Sequence, residues 1–195
     1  MNTGSGILYR FAKVMSILGH PLLTVSLLCC YTGFLHLSQK SAIVVCGLLI
    51  ITIVIPVVWH NYRKVIKGQY TNFDVSNKDQ RARFYPLLIG LTLLFLILLA
   101  IFDQPRIFVY GTSCMLFLLV VAYYINVHIK SSLHTSISIF IAIALYTTDH
   151  MLGLVIGIFA ILIALSRLIL KRHTMSEIVV GGVIGGISGF CLTIL

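Results

Sequence analysis

Residues 86–102 read PLLIGLTLLFLILLAIF, without one charged side chain. Wound as an α-helix, this stretch reaches about 25 Å. A bilayer core is about 30 Å thick and takes roughly 20 apolar residues to cross. Strand-like alternation is absent, so the period is helical and the length is that of a membrane span. Working outward, comparable runs occupy 14–37, 42–60, 107–127, 151–170 and 174–195, with a shorter one at 135–147. The expectation is an all-α, polytopic integral membrane helical bundle of six to seven transmembrane helices, forming a single domain over 1–195. Pro21 and Pro56 fall inside the first two runs, where each is expected to kink its helix. No cleavable secretory signal is expected: the first run is too long for a signal core and no A-x-A site follows it.

Composition points the same way. Of 195 residues, 59% are hydrophobic and 10% charged, whereas soluble domains carry about 25% charge. An ordinary soluble enzyme, a disordered chain and a nucleic-acid binder are thereby excluded. The net charge of +9, with 14 Lys+Arg against 5 Asp+Glu, then reads as membrane topology. Counting seven crossings puts the N-terminus, loop 61–85, segment 128–134 and segment 171–173 on one face. That face carries Arg10, Lys13, Arg63, Lys64, Lys67, Lys78, Arg81, Arg83, Lys130, Arg167, Lys171 and Arg172, against Lys40 and Arg106 on the other. Setting aside Lys78, Arg81, Arg83, Lys130 and Arg167 still leaves seven against two. The positive-inside rule places that face in the cytoplasm, in a multi-pass protein of the cell membrane. Trp59, Tyr62, Tyr85, Tyr123 and Tyr124 fall near the same boundary, as an interfacial aromatic belt would.

The five cysteines (Cys29, Cys30, Cys46, Cys114, Cys191) lie inside the runs without metal-ligand spacing, and read as packing or lipid-facing residues. The five acids, Asp74, Asp79, Asp103, Asp149 and Glu177, are scattered. A magnesium site draws on clustered carboxylates, so no metal site and no cofactor are expected. Any chemistry rests on His, Arg, Lys and Ser.

Three polar clusters stand on the basic face. In the last, Ser166-Arg167 is followed by His173 and Glu177. The i, i+4 spacing lets the carboxylate reach the imidazole on a helix. A carboxylate on one ring nitrogen fixes the tautomer and makes the other nitrogen a better nucleophile. The second cluster, Lys130-Ser131-Ser132-Leu133-His134, precedes an apolar helix. Backbone N–H groups and a Ser hydroxyl there form an anion cradle, with His134 able to protonate a leaving oxygen. The third runs from Asn77 to Pro86 and includes Lys78, Arg81 and Arg83, ahead of a proline suited to the first turn of the next helix.

Together these clusters resemble the type 2 phosphatidic acid phosphatase family, the lipid phosphate phosphatases related to vanadium haloperoxidases. Ser166-Arg167…His173…Glu177 is similar to the family's S-R-x5-H-x3-D signature, with Glu177 in place of Asp. Ser132-Leu133-His134 is similar to P-S-G-H, with Ser131 and Leu133 replacing Pro and Gly. Lys78 to Pro86 resembles K-x6-R-P, with Tyr85 replacing Arg and Arg81 one helical turn earlier. The order is the family's, and the motif-bearing core covers about 78–190, leaving the first two spans outside it.

The resemblance implies a metal-independent phosphatase acting on a membrane lipid phosphate. His173 would attack phosphorus to form a phosphohistidine, oriented by Glu177. His134 would protonate the departing alcohol and later activate water. Arg167, Ser132, Lys78 and Arg81 would hold the phosphate oxygens. A non-catalytic lipid-phosphate binder or transporter, and headgroup transfer between lipids, are the alternatives. Lys171 and Arg172 read as cations snorkelling from a helix end. His20, His36, His60, His128 and His150 show no partner pattern. Gly181, Gly182, Gly185, Gly186 and Gly189 form small-xxx-small pairs suited to close helix packing.

Overall fold

The computed structural model describes residues 6–195, and every regular element among them is helical. In chain order these are α1 (Ile7–Leu18), α2 (Pro21–His36), α3 (Gln39–Leu49), α4 (Ile55–Ile66), α5 (Lys78–Ile101), α6 (Arg106–Asn126), α7 (Leu133–Tyr146), α8 (His150–Ile169) and α9 (Met175–Thr193). Five stretches are long and apolar enough to cross a bilayer: Gln39–Ile66, Lys78–Ile101, Arg106–Asn126, His150–Ile169 and Met175–Thr193. The pair α1 and α2, bent by 52°, makes a sixth as a broken span. Their polarity is inverted relative to a soluble protein. Ile51, Ile97, Phe117, Ile161 and Val183 are exposed, while Thr52, Thr92, Ser136, Arg167 and Ser188 are buried. Lipid is the solvent that suits such a surface, and the chain is a multi-pass membrane helical bundle.

The two prolines act differently. Pro21 opens α2 directly after a break at Gly19–His20. Pro56 does not break its helix. It lacks the N–H that would bond the Thr52 carbonyl, and the preceding turn, Ile50–Val54, widens to a π-helix and continues into α4.

Helix starts depart from the apolar runs where a polar cap lies outside the run. The run at 86–102 belongs to a helix that begins at Lys78, because the Asn77 side chain accepts from the N–H groups of Asp79 and Gln80 (2.9 and 3.2 Å). Pro86 is therefore inside α5 and not in its first turn. The expected loop 61–85 shrinks correspondingly to the stretch between Ile66 and Lys78. The short run begins at Leu133 under a Ser132 cap and spans 14 residues, about 21 Å. Tyr85 is fully buried against Tyr123, 5.7 Å between ring centres, so it leaves the expected belt, in which Trp59, Tyr62 and Tyr124 remain exposed.

By its packing the chain falls into two compact units, Met1–Val25 with Ile129–Leu195, and Ser26–His128. In the first, α7 packs between α8 and α9, and α1 packs on α8. A Cβ on Gly181 would come within 2.7 Å of the Ser132 carbonyl oxygen, and one on Gly185 would collide with the Ser136 backbone. These glycines let the α9 backbone rest directly on the start of α7. In the second unit α5 packs on α6. Lys78 Nζ donates to the carbonyls of Val127 and His128 (2.9 and 3.2 Å), closing the C-terminal end of α6.

Candidate functional site

The turn between α8 and α9 explains why Arg167 and His173 stand six positions apart. Lys171 takes the left-handed conformation (φ = 52°) and ends α8. The chain folds back so that the N–H groups of Arg172 and His173 both donate to the Arg167 carbonyl (3.0 and 3.3 Å). His173 is thereby returned onto the last turn of α8. Thr174 then caps α9: its hydroxyl accepts from Glu177 N–H, and Glu177 Oε2 accepts from Thr174 N–H (3.2 Å). This reciprocal capping box carries the carboxylate back to His173, whose Nδ1 lies 2.8 Å from the same oxygen. With Glu177 ionised, Nδ1 is the donor, and in the neutral ring the buried Nε2 carries the lone pair.

The second cluster joins the first through backbone and charge. Ser132 N–H donates to the Glu177 carbonyl (3.1 Å), which ties the start of α7 to the start of α9. Lys130 Nζ donates to the Arg172 carbonyl (3.0 Å) and lies 3.6 Å from Glu177 Oε2. Ser131 and Ser132 are fully buried ahead of α7, with the Ser132 backbone extended. Non-helical backbone at such depth persists because protein covers it. His134 is buried in the first turn of α7, and Arg167 has no exposed surface (0%). The Lys130 cation thus stands beside the Glu177 carboxylate, and the buried Arg167 belongs to the same unit.

Of the expected site residues, His173, Glu177, Arg167, Ser132 and His134 belong to one unit, in the turns that open α7 and α9 and close α8. Lys78 and Arg81 belong to the other. There Lys78 serves the end of α6, and the buried Arg81 donates from Nε to the Val75 carbonyl (3.2 Å).

Two further residues come from α1 and its end, which the motif reading left outside the core. Ser16 accepts from Arg167 Nη1 at 2.6 Å, both side chains being buried. His20 sits at the α1–α2 break with its ring edge-on to His134, 5.5 Å between centres. Its Nδ1 accepts from Leu22 N–H (3.3 Å). A signal was present: Ser16 and His20 lie four residues apart in a largely apolar run, and polar groups inside spans seek partners. Comparison with family models, curated proteins and solved structures finds no match to the chain.

Proposed function

We propose that this chain is a metal-independent phosphatase of a membrane lipid phosphate, working through a phosphohistidine. The observation that carries the reading is the His173–Glu177 hydrogen bond of 2.8 Å, formed one chain reversal away from the buried Arg167. His173 Nε2 attacks phosphorus and the P–O bond to the lipid alcohol breaks, with His134 delivering a proton to the leaving oxygen. Water, deprotonated by His134, then breaks the P–N bond, releasing phosphate and restoring His173. Glu177 stabilises the charge on the imidazole throughout. Arg167, held by Ser16, and the amide groups at the start of α7 stabilise the equatorial oxygens. The order and spacing of the motifs resemble those of the type 2 phosphatidic acid phosphatases.

Candidate substrates are phosphatidic acid, phosphatidylglycerophosphate, phosphoinositide-like lipids and polyprenyl phosphates or diphosphates. The purified protein should release phosphate from one of them in EDTA, and vanadate, which mimics five-coordinate phosphorus, should inhibit. Phosphate release that survives His173→Ala, or that stops with chelator, overturns the mechanism. We read the excess of loop cations on this face as a sign that it lies in the cytoplasm; ready labelling of a cysteine introduced at Gln69 from outside intact cells would reverse that orientation.

The non-catalytic alternative, a lipid-phosphate binder or transporter, draws on one observation: Lys78, expected to hold phosphate, closes α6 instead. It predicts headgroup binding without phosphate release.

A further inference from the structure

The break between α1 and α2 is seated on two of the helices that carry the site. Ser16 accepts from Arg167 at the end of α8, and three residues on Gly19 lies against α8 at Ile163. A Cβ on Gly19 would come within 2.5 Å of the buried Ile163 side chain, so the backbone approaches this closely only because glycine has none. That approach brings the next residue, His20, to His134 in the first turn of α7. His20 also opens α2. Its carbonyl accepts from Thr24 N–H (3.0 Å), and its ring Nδ1 accepts from Leu22 N–H (3.3 Å), with Pro21 between them in the first helical position. A donor at Nδ1 leaves the proton of the neutral ring on Nε2. The start of α2 therefore holds the His20 ring in one tautomer and one place.

A fixed ring beside His134 can act on it in one of two ways, by passing protons or by setting its orientation. In the reaction proposed above, His134 gives a proton to the departing alcohol and recovers one from the attacking water. The cycle balances without an outside donor, and with Nδ1 engaged by Leu22 the His20 ring is closed to a relay from one nitrogen to the other. Orientation is what remains. The outer torsion of a histidine side chain is broad and roughly two-fold, so a place in the first turn of α7 does not fix the plane of His134. A perpendicular neighbour does. The two ring planes stand 84° apart with centres 5.5 Å apart, the edge-to-face arrangement that aromatic pairs prefer. We propose that His20 is a positioning residue for His134, holding that imidazole in the orientation from which it protonates the leaving oxygen. The role of His134 rests on the phosphatase reading above, whereas the ring contact does not. A pair of this kind favours one orientation by roughly two- to tenfold, and a general acid turned out of hydrogen-bond reach delivers no proton.

The test is single-turnover phosphoryl transfer to the full-length protein from two esters. One is short-chain phosphatidic acid, whose alkoxide needs a proton as it departs; the other is p-nitrophenyl phosphate, whose phenolate does not. His20→Asn keeps a side-chain acceptor for the start of α2 and removes the ring. It should slow transfer from phosphatidic acid roughly three- to tenfold and leave transfer from the nitrophenyl ester unchanged. His20→Phe restores a ring without the acceptor and should recover most of the lost rate. Equal losses on the two esters, no loss on either, or a Phe variant no faster than the Asn variant overturns the proposal. A second measurement needs no turnover. With isotope-labelled histidine in detergent, the NMR signal of the His134 ring, identified by its loss in His134→Gln, should be single and sharp in wild type and doubled or broadened in His20→Asn. A wild-type signal already broad, or an Asn variant as sharp as wild type, overturns the positioning role. Wild type that accepts phosphate from neither ester sinks the phosphatase reading alone, and the ring signal still decides whether His20 holds His134.

Discussion

Glu177→Gln separates catalysis from architecture at one atom. Glu177 Oε2 accepts from Thr174 N–H at 3.2 Å and meets His173 Nδ1 at 2.8 Å, and the same oxygen lies 3.6 Å from Lys130 Nζ. Glutamine keeps one oxygen in that place, and Gln is an accepted partner in the capping box. The fold should therefore persist, with a loss well under 1 kcal/mol. What disappears is the negative charge. A hydrogen bond to a charged group contributes about 1.5–3 kcal/mol, which corresponds to a fall of roughly ten- to a hundredfold in the rate of attack by His173. Glu177→Ala should lose the same rate and, in addition, about 1 kcal/mol of stability from the helix end. The assay is single-turnover phosphate release from a short-chain lipid phosphate, paired with thermal unfolding in detergent. A glutamine variant with wild-type turnover, beside an unstable alanine variant, would refute the reasoning and leave Glu177 as a helix cap.

Ser16→Ala removes the hydroxyl 2.6 Å from Arg167 Nη1; vanadate inhibition should weaken by roughly ten- to a hundredfold on the same charged-bond scale. Gly185→Ala drives a methyl group into the Ser136 backbone, whereas a Cβ on Gly186 meets nothing within 4 Å. The first should lower stability by about 1–3 kcal/mol and the second should not, which unfolding of the pair in detergent will show. Asn77→Ala removes the cap of α5 and should cost about 1 kcal/mol, read as faster amide exchange confined to the first turn of that helix.

Much of the fold was legible because hydrocarbon imposes a length on helices. The runs at 107–127, 151–170 and 174–195 lie within a residue or two of α6, α8 and α9. Hydropathy is blind to the polar and charged turns that open a helix, so it missed the two turns from Lys78 to Tyr85, which depend on Asn77. It read 14–37 as one span kinked at Pro21, which the structure keeps as the bent pair α1 and α2, with its start seven residues earlier at Ile7. At the site, spacing made the His173–Glu177 pair visible, and the Thr174-x-x-Glu177 box that shapes it was there to be read as well. The pairing of Ser16 with Arg167 was not legible, since nothing local couples residues 151 positions apart. The contacts of Lys78 were hidden for a related reason: a cation near a motif and a cation closing a neighbouring helix look alike until the carbonyls of Val127 and His128 are in place.

That long separation also bears on how the molecule is made. Chains are synthesised at about 5–20 residues per second, so Ser16 is in place roughly 10 to 30 s before Arg167 emerges. The first helix must therefore enter the membrane and persist there while Ser26–His128, a unit able to collect its own contacts, is produced in between. When α8 follows, its buried guanidinium meets a hydroxyl already waiting, which lowers the cost of drawing that charge into the bundle. Assembly of the centre is thus a late event in biogenesis, dependent on the survival of an early helix. Expression of 26–195 without its first 25 residues, followed by co-expression of that segment in trans, would time that dependence directly.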